Sequence, residues 1–111
     1  MNMEDVVVVT SVTARASEPE PGLTRRIGAS NEKLFLAEHH MEKGWIGTRH
    51  SHPHEQMAYV VSGHLKVIVG HREFEVRAGD SFVVRGGVEH QAWAIEPSHV
   101  IDVFTPCRED Y

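Results

Sequence analysis

Within the seven residues His50-Ser51-His52-Pro53-His54-Glu55-Gln56 the chain places three imidazoles and a carboxamide. In an extended strand side chains at i and i+2 share a face, so His50 and His52 can aim at one point, and Gln56 has the same parity. Imidazole nitrogen and amide oxygen are neutral lone-pair donors that suit a divalent transition metal. A fourth ligand has to come from elsewhere, and His90 offers one. His54 shares the parity of His52, but Pro53 interrupts the strand, so His54 and Glu55 are expected around the ligands or at a cavity rim. The other histidines (His39, His40, His64, His71 and His99) read as ordinary surface or core residues.

The flanking sequence has to position that stretch, and it reads as short strands. One strand is expected over residues 6–12, followed by a Ser/Glu/Pro-rich loop over 17–22, a short strand over 23–29 and another over 33–41. From Gln56 the alternation is clear: Met57, Tyr59 and Val61 face one way, Ala58 and Val60 the other, up to Ser62-Gly63. Leu65, Val67 and Val69 follow, and Gly70-His71 reads as a two-residue hairpin loop whose leading glycine supplies the positive φ of a type II′ turn. Phe74 and Val76 share a face, Ala78-Gly79-Asp80 turns, and further strands are expected over 82–84, 88–95 and 99–104. Many short strands, glycine-marked turns and no convincing helix predict an all-β antiparallel barrel or double-sheet sandwich. In the last strand Ile101 and Val103 oppose Val100 and Phe104. Two apolar faces imply an inner face lining a cavity and an outer face meeting a second sheet or another subunit, and a homodimer is expected.

Length and charge narrow the function. A chain of 111 residues builds one domain, taken as 1–111 with a barrel core at about 33–105. A formal charge of -5 disfavours nucleic acid and anionic membrane as partners. No apolar run approaches a spanning helix, and the valines near the start lack the basic flank of a signal peptide. Cys107 is the one cysteine, which excludes an internal disulfide and points to a reducing compartment, the cytoplasm; it reads as a non-catalytic thiol. Arg26 is a candidate for binding an anion.

Gly44, His50, His52, Gln56 and Gly63, at their spacing, resemble the first signature of the cupin superfamily, and Gly79, Arg85, Gly87 and His90 are similar to the second. The resemblance implies a jelly-roll barrel and one bound divalent metal, Zn, Ni, Fe or Mn, held by His50, His52, Gln56 and His90. Arg85 replaces the family's usual Pro and Ala94 a frequent Asn. Gln56 occupies a slot commonly held by Glu; a neutral amide leaves the ion its full +2, making it a stronger Lewis acid and a weaker guest.

The ending Asp102-Val103-Phe104-Thr105-Pro106-Cys107-Arg108-Glu109-Asp110-Tyr111 resembles that of small one-domain cupins of the pectin-degradation (KdgF) type, as does HSHPHEQ. That group converts 4,5-unsaturated uronates into open-chain keto sugars, and by motif position its functional residues fall on Asp102, Phe104 and Arg108. Asp102 would act as general acid and base, Phe104 as an apolar wall for the sugar, and Arg108 as the fork that pairs with a substrate carboxylate, with His54 and Arg26 as further substrate contacts. The expected partner is therefore a small carboxylated sugar and the expected reaction a redox-neutral ring opening or tautomerisation. Two alternatives stand beside it: a metal-dependent dioxygenase, distinguished by oxygen consumption, and a non-enzymatic ligand-binding module, distinguished by a metal closed off from solvent.

Overall fold

The computed structural model describes residues 5–111. Its strands are β1 (Arg15–Glu20), β2 (Leu23–Ser30), β3 (Phe35–Met41), β4 (Glu55–Ser62), β5 (His64–Val69), β6 (Arg72–Arg77), β7 (Ser81–Val84), β8 (His90–Ala94) and β9 (Ser98–Thr105). No helix occurs among the described residues, and so none that could cross a membrane. Every strand pairing is antiparallel. One sheet runs β1-β2-β3-β9-β4-β7 and the other β6-β5-β8. Residues 44–50 extend the smaller sheet along β8 without becoming a regular strand: Ile46 bridges Trp93, His50 bridges His90, and Gly47 N–H donates to the Ala92 carbonyl over 3.0 Å. This is the all-β antiparallel architecture that the alternation predicts, in the jelly-roll form that the resemblance implies.

The alternation is realised as burial. In β4, Ala58 and Val60 are buried while Met57, Tyr59 and Val61 are exposed, and in β9 Ser98, Val100, Asp102 and Phe104 are all buried on one face. The inward residues form a core of Leu23, Met41, Ala58, Val60, Leu65, Val67, Val76, Ala94 and Val100 between the sheets, with a second cluster of Phe35, Ala37 and Phe104 at one end. Each of the Val, Leu, Met and Phe side chains among them contributes roughly 1.5–3 kcal/mol. The β5–β6 hairpin closes as expected: Val69 pairs with Arg72, Gly70 has φ 59°, and no residue other than glycine has positive φ.

Three expectations are corrected. Residues 6–12 form no strand; the β-branched run finds no partner edge, and Val6, Val8 and Val12 stay exposed. Residues 15–20, expected in part as loop, form β1. It lies at the edge of the sheet and its register shifts between Ser17 and Glu20, a place where Pro19 is tolerated. Finally, His50 and His52 do not lie on a regular strand, since β4 starts only at Glu55.

Candidate metal centre

His50 and His90 meet because their backbones form an isolated antiparallel bridge, each N–H donating to the other's carbonyl at 3.1 and 2.9 Å. Their ring centroids are 4.4 Å apart, and His52, two residues on, brings its ring to 4.9 Å from that of His90. One nitrogen from each of the three lies within 4.8 Å of the others. The backbone fixes which nitrogen that can be. Nδ1 of His50 contacts the Thr48 carbonyl at 2.8 Å, Nδ1 of His52 that of His54 at 3.0 Å, and Nδ1 of His90 that of Val88 at 2.9 Å. A carbonyl only accepts, so each Nδ1 carries the proton and each Nε2 presents a lone pair.

Gln56 is fixed in the same way. Its Nε2 donates to Asp102 Oδ1 over 2.8 Å, which turns its Oε1 toward His52 Nε2 at 3.0 Å. Two acceptors thus face each other across a hydrogen-bond distance, an arrangement that a cation between or beside them relieves. A proton on His52 is disfavoured, because burial, aided by the nearby Arg108 charge, lowers its pKa; burial likewise lowers that of His90, whose Nε2 is buried without any partner. Three converging imidazole lone pairs and an amide oxygen fit one divalent transition metal.

The turn at Gly86-Gly87 holds this loop. Gly87 N–H donates to the His52 carbonyl over 2.8 Å, Gly86 N–H to the Glu55 carboxylate over 2.6 Å, and a Cβ on Gly86 would stand 2.2 Å from the Pro53 carbonyl oxygen. The ligand loop is therefore packed directly on a bare glycine.

Asp102 faces inward, buried, between Ala37 of β3 and Ala58 of β4. Besides Gln56 it accepts from His39 Nδ1 over 2.7 Å, and His39 Nε2 in turn accepts from Arg25 Nε over 2.9 Å. A continuous polar chain thus runs from Arg25 through His39, Asp102 and Gln56 to His52. It borders a cavity of about 290 Å³ whose wall also includes His50, His90, Arg108 and Tyr111, while Leu23, Met41, Val60, Leu65, Val67 and Val100 line the remainder. His39, expected as an ordinary surface or core residue, is thus a link in this chain. The signal for it was available: it shares the inward parity of Phe35, Ala37 and Met41.

The remaining expected residues divide. Arg108 is buried on the cavity wall, but its Nε and Nη2 are spent on Asp110 and only Nη1 is unpartnered. Phe104 is 1% exposed, is absent from the cavity wall and backs the His52 ring at 5.7 Å. His54 lies outside the cavity too, bordering a surface groove with Ser30, Pro106 and Cys107, its Nδ1 unpartnered. Arg26 points to the opposite side of β2, where it meets Glu38 and the Ser11 carbonyl. Strand parity puts Arg25 on the cavity in its place.

Glu38, His40 and His99 also cluster, on the outer face of β3 and β9. There the imidazoles of His40 and His99 stack at 4.0 Å and only 16° apart, so their in-plane lone pairs do not meet. Glu38 is already engaged by His99 and Arg26.

Residues 37–104 match the family described as cupin domain. The pectin degradation protein KdgF of Dickeya dadantii is 33% identical over 92 residues, 81% of this chain and 84% of that one. The structure of KdgF from a Halomonas species superposes with a TM-score of 0.88 at 34% identity, covering 95% of this chain and 97% of the other. An RmlC-like cupin from Shewanella frigidimarina gives 0.87 at 33%, covering 93% of each chain.

Proposed function

This chain belongs to the cupin family, and we propose that it is a metal-dependent enzyme that opens or tautomerises the ring of a small unsaturated uronate. The relationship to pectin-degradation proteins supports the substrate class. The observation that carries the reading is the Asp102 carboxylate, buried on the wall of the same cavity as the His50 and His90 imidazoles and held at both oxygens. A carboxylate so fixed, beside an open volume of sugar size, is suited to moving protons.

His50, His52 and His90 through Nε2, with Gln56 through Oε1, would hold the ion, and Zn, Ni, Fe or Mn there would polarise a sugar oxygen as a Lewis acid. Asp102 takes the proton of the anomeric hydroxyl. The ring C–O bond then breaks, leaving an aldehyde and the enolate of the former double bond. Return of the same proton to the enolate carbon gives the keto sugar, so the step is redox-neutral and proton-balanced. The polar chain from Gln56 and His39 keeps Asp102 oriented throughout, and the surrounding aliphatic wall limits water.

Metal-loaded protein should remove the ultraviolet absorbance of 4,5-unsaturated galacturonate well above the buffer rate, and Asp102→Asn should lower kcat at least about 100-fold. Decay no faster than in buffer overturns this reading. We further propose that the protein acts in the cytoplasm as a homodimer. The outward residues Met57, Tyr59, Val61 and Val83 of β4 and β7 are exposed together, and a second copy of the same face is the occupant that would cover them.

A further inference from the structure

Carboxylated and neutral sugars differ by one charge, and something in the cavity has to read it. The expected reader, Arg108, has Nε and Nη2 committed to Asp110. Arg25 is differently placed. It is the cross-strand neighbour of His39 in the β2–β3 pair and lines the cavity with it. Its Nε donates to His39 Nε2 over 2.9 Å, and its Cζ lies 3.6 Å from the centroid of the Tyr111 ring. Those two contacts fix both the direction and the plane of the guanidinium. Among the described residues, Nη1 and Nη2 of Arg25 make no hydrogen bond or ion pair, and neither is sealed from solvent.

Three further polar groups on the wall are already engaged. Glu20 accepts from Trp45 Nε1 over 2.6 Å, Gln91 donates to the Gly47 carbonyl over 2.7 Å, and Asp102 has a donor on each oxygen. A planar, pre-oriented pair of N–H-bearing nitrogens is the geometry that takes a carboxylate through two parallel hydrogen bonds. Because the same guanidinium donates to His39, which donates to Asp102, a carboxylate seated on it is also placed in register with the acid–base group.

We propose that Arg25 is the specificity residue of this cavity: its Nη1/Nη2 fork grips the carboxylate of the ligand, while Arg108 contributes positive field and a single free nitrogen. The inference rests on the proposed reading for the sugar-acid class, but binding alone tests it.

The probes are D-galacturonate and its neutral counterpart D-galactose, titrated calorimetrically into metal-loaded protein. Wild type should favour the acid by between about 10- and 100-fold, the range expected for hydrogen bonds between charged groups. Arg25→Gln should erase that preference. Arg25→Lys, which keeps the charge and loses the fork, should retain part of it, and Arg26→Gln should retain all of it. Thermal melts verify that each variant is folded. Equal affinity of wild type for acid and neutral sugar overturns the proposal. So does an Arg25→Gln variant that keeps the preference, since the carboxylate is then held by the metal or by Arg108. With unsaturated galacturonate as substrate, Arg25→Gln should raise KM by the same factor and change kcat less than Asp102→Asn does. A preference for the acid that vanishes in Arg25→Gln, without any turnover by wild type, supports the grip and defeats the ring-opening reading alone.

Discussion

The carboxamide of Gln56 is committed on both sides, donating to Asp102 and presenting its oxygen to His52. Gln56→Glu would set a carboxylate against the Asp102 carboxylate at the distance now spanned by a hydrogen bond. Metal-free Gln56→Glu should therefore be less stable than wild type by about 1–3 kcal/mol. Melts with and without metal should give it the larger stabilisation on metal addition. His52→Ala or His90→Ala should leave the protein folded with substoichiometric metal by elemental analysis, and full occupancy in either would remove that residue from the ligand set. His39→Ala strips one donor from a buried carboxylate. It should cost about 1.5–3 kcal/mol in urea denaturation and lower kcat more than it raises KM.

At the level of elements, the Gly86-Gly87 turn and the histidine loop act as one unit. Gly86→Ala, which touches no ligand, should weaken metal affinity and lower the melting temperature, because a methyl cannot stand 2.2 Å from the Pro53 oxygen without pushing the loop away. The C-terminal segment is a second unit, fastened by Arg108 to Asp110. The hydrogen bond from Arg108 lowers the Asp110 pKa to about 2 from 3.8. A carboxyl depressed in the folded state stabilises above its unfolded pKa, and that stability is lost as pH falls through about 2. Since the Asp110 side chain is 58% exposed, screening holds the contribution below about 1 kcal/mol. Asp110→Asn should flatten the acid limb of the stability curve between about pH 4 and 2.

The same elements explain what the sequence disclosed. Period-two alternation in β4 and β9 fixes which side of each strand is inward, so the positions of Gln56 and Asp102 could be read from it. On β2 both Arg25 and Arg26 sit among mixed neighbours, and only their relation to Leu23, two residues before Arg25, separates the inward arginine from the outward one. The valines before residue 12 carry strand propensity without a partner, whereas Ser17, Glu18 and Pro19 hide an edge strand behind a turn-like composition. Local sequence carries no information about which edge is free. His50 and His90 meet through a backbone bridge between segments 40 residues apart, a pairing that depends on how the two sheets close.

For the whole molecule, the proposed homodimer rests on the outer surface of the larger sheet. Met57 and Val83 are direct cross-strand partners and both stand exposed. Val83→Glu should convert a dimer into a compact monomer by sedimentation at micromolar concentration, with the metal site unaffected; a wild type already monomeric there would end the dimer proposal. The interior is asymmetric as well. Polar and cationic groups line part of the cavity with the imidazoles, and Leu65 and Val67 of β5 offer only hydrocarbon. A guest hydroxylated around its whole rim would leave some of those hydroxyls unsolvated, whereas one that is charged at one edge and stripped of oxygen at the other settles in a single orientation. The greasy half of the chamber should thus hold a dehydrated sugar acid more tightly than a fully hydroxylated one of the same charge.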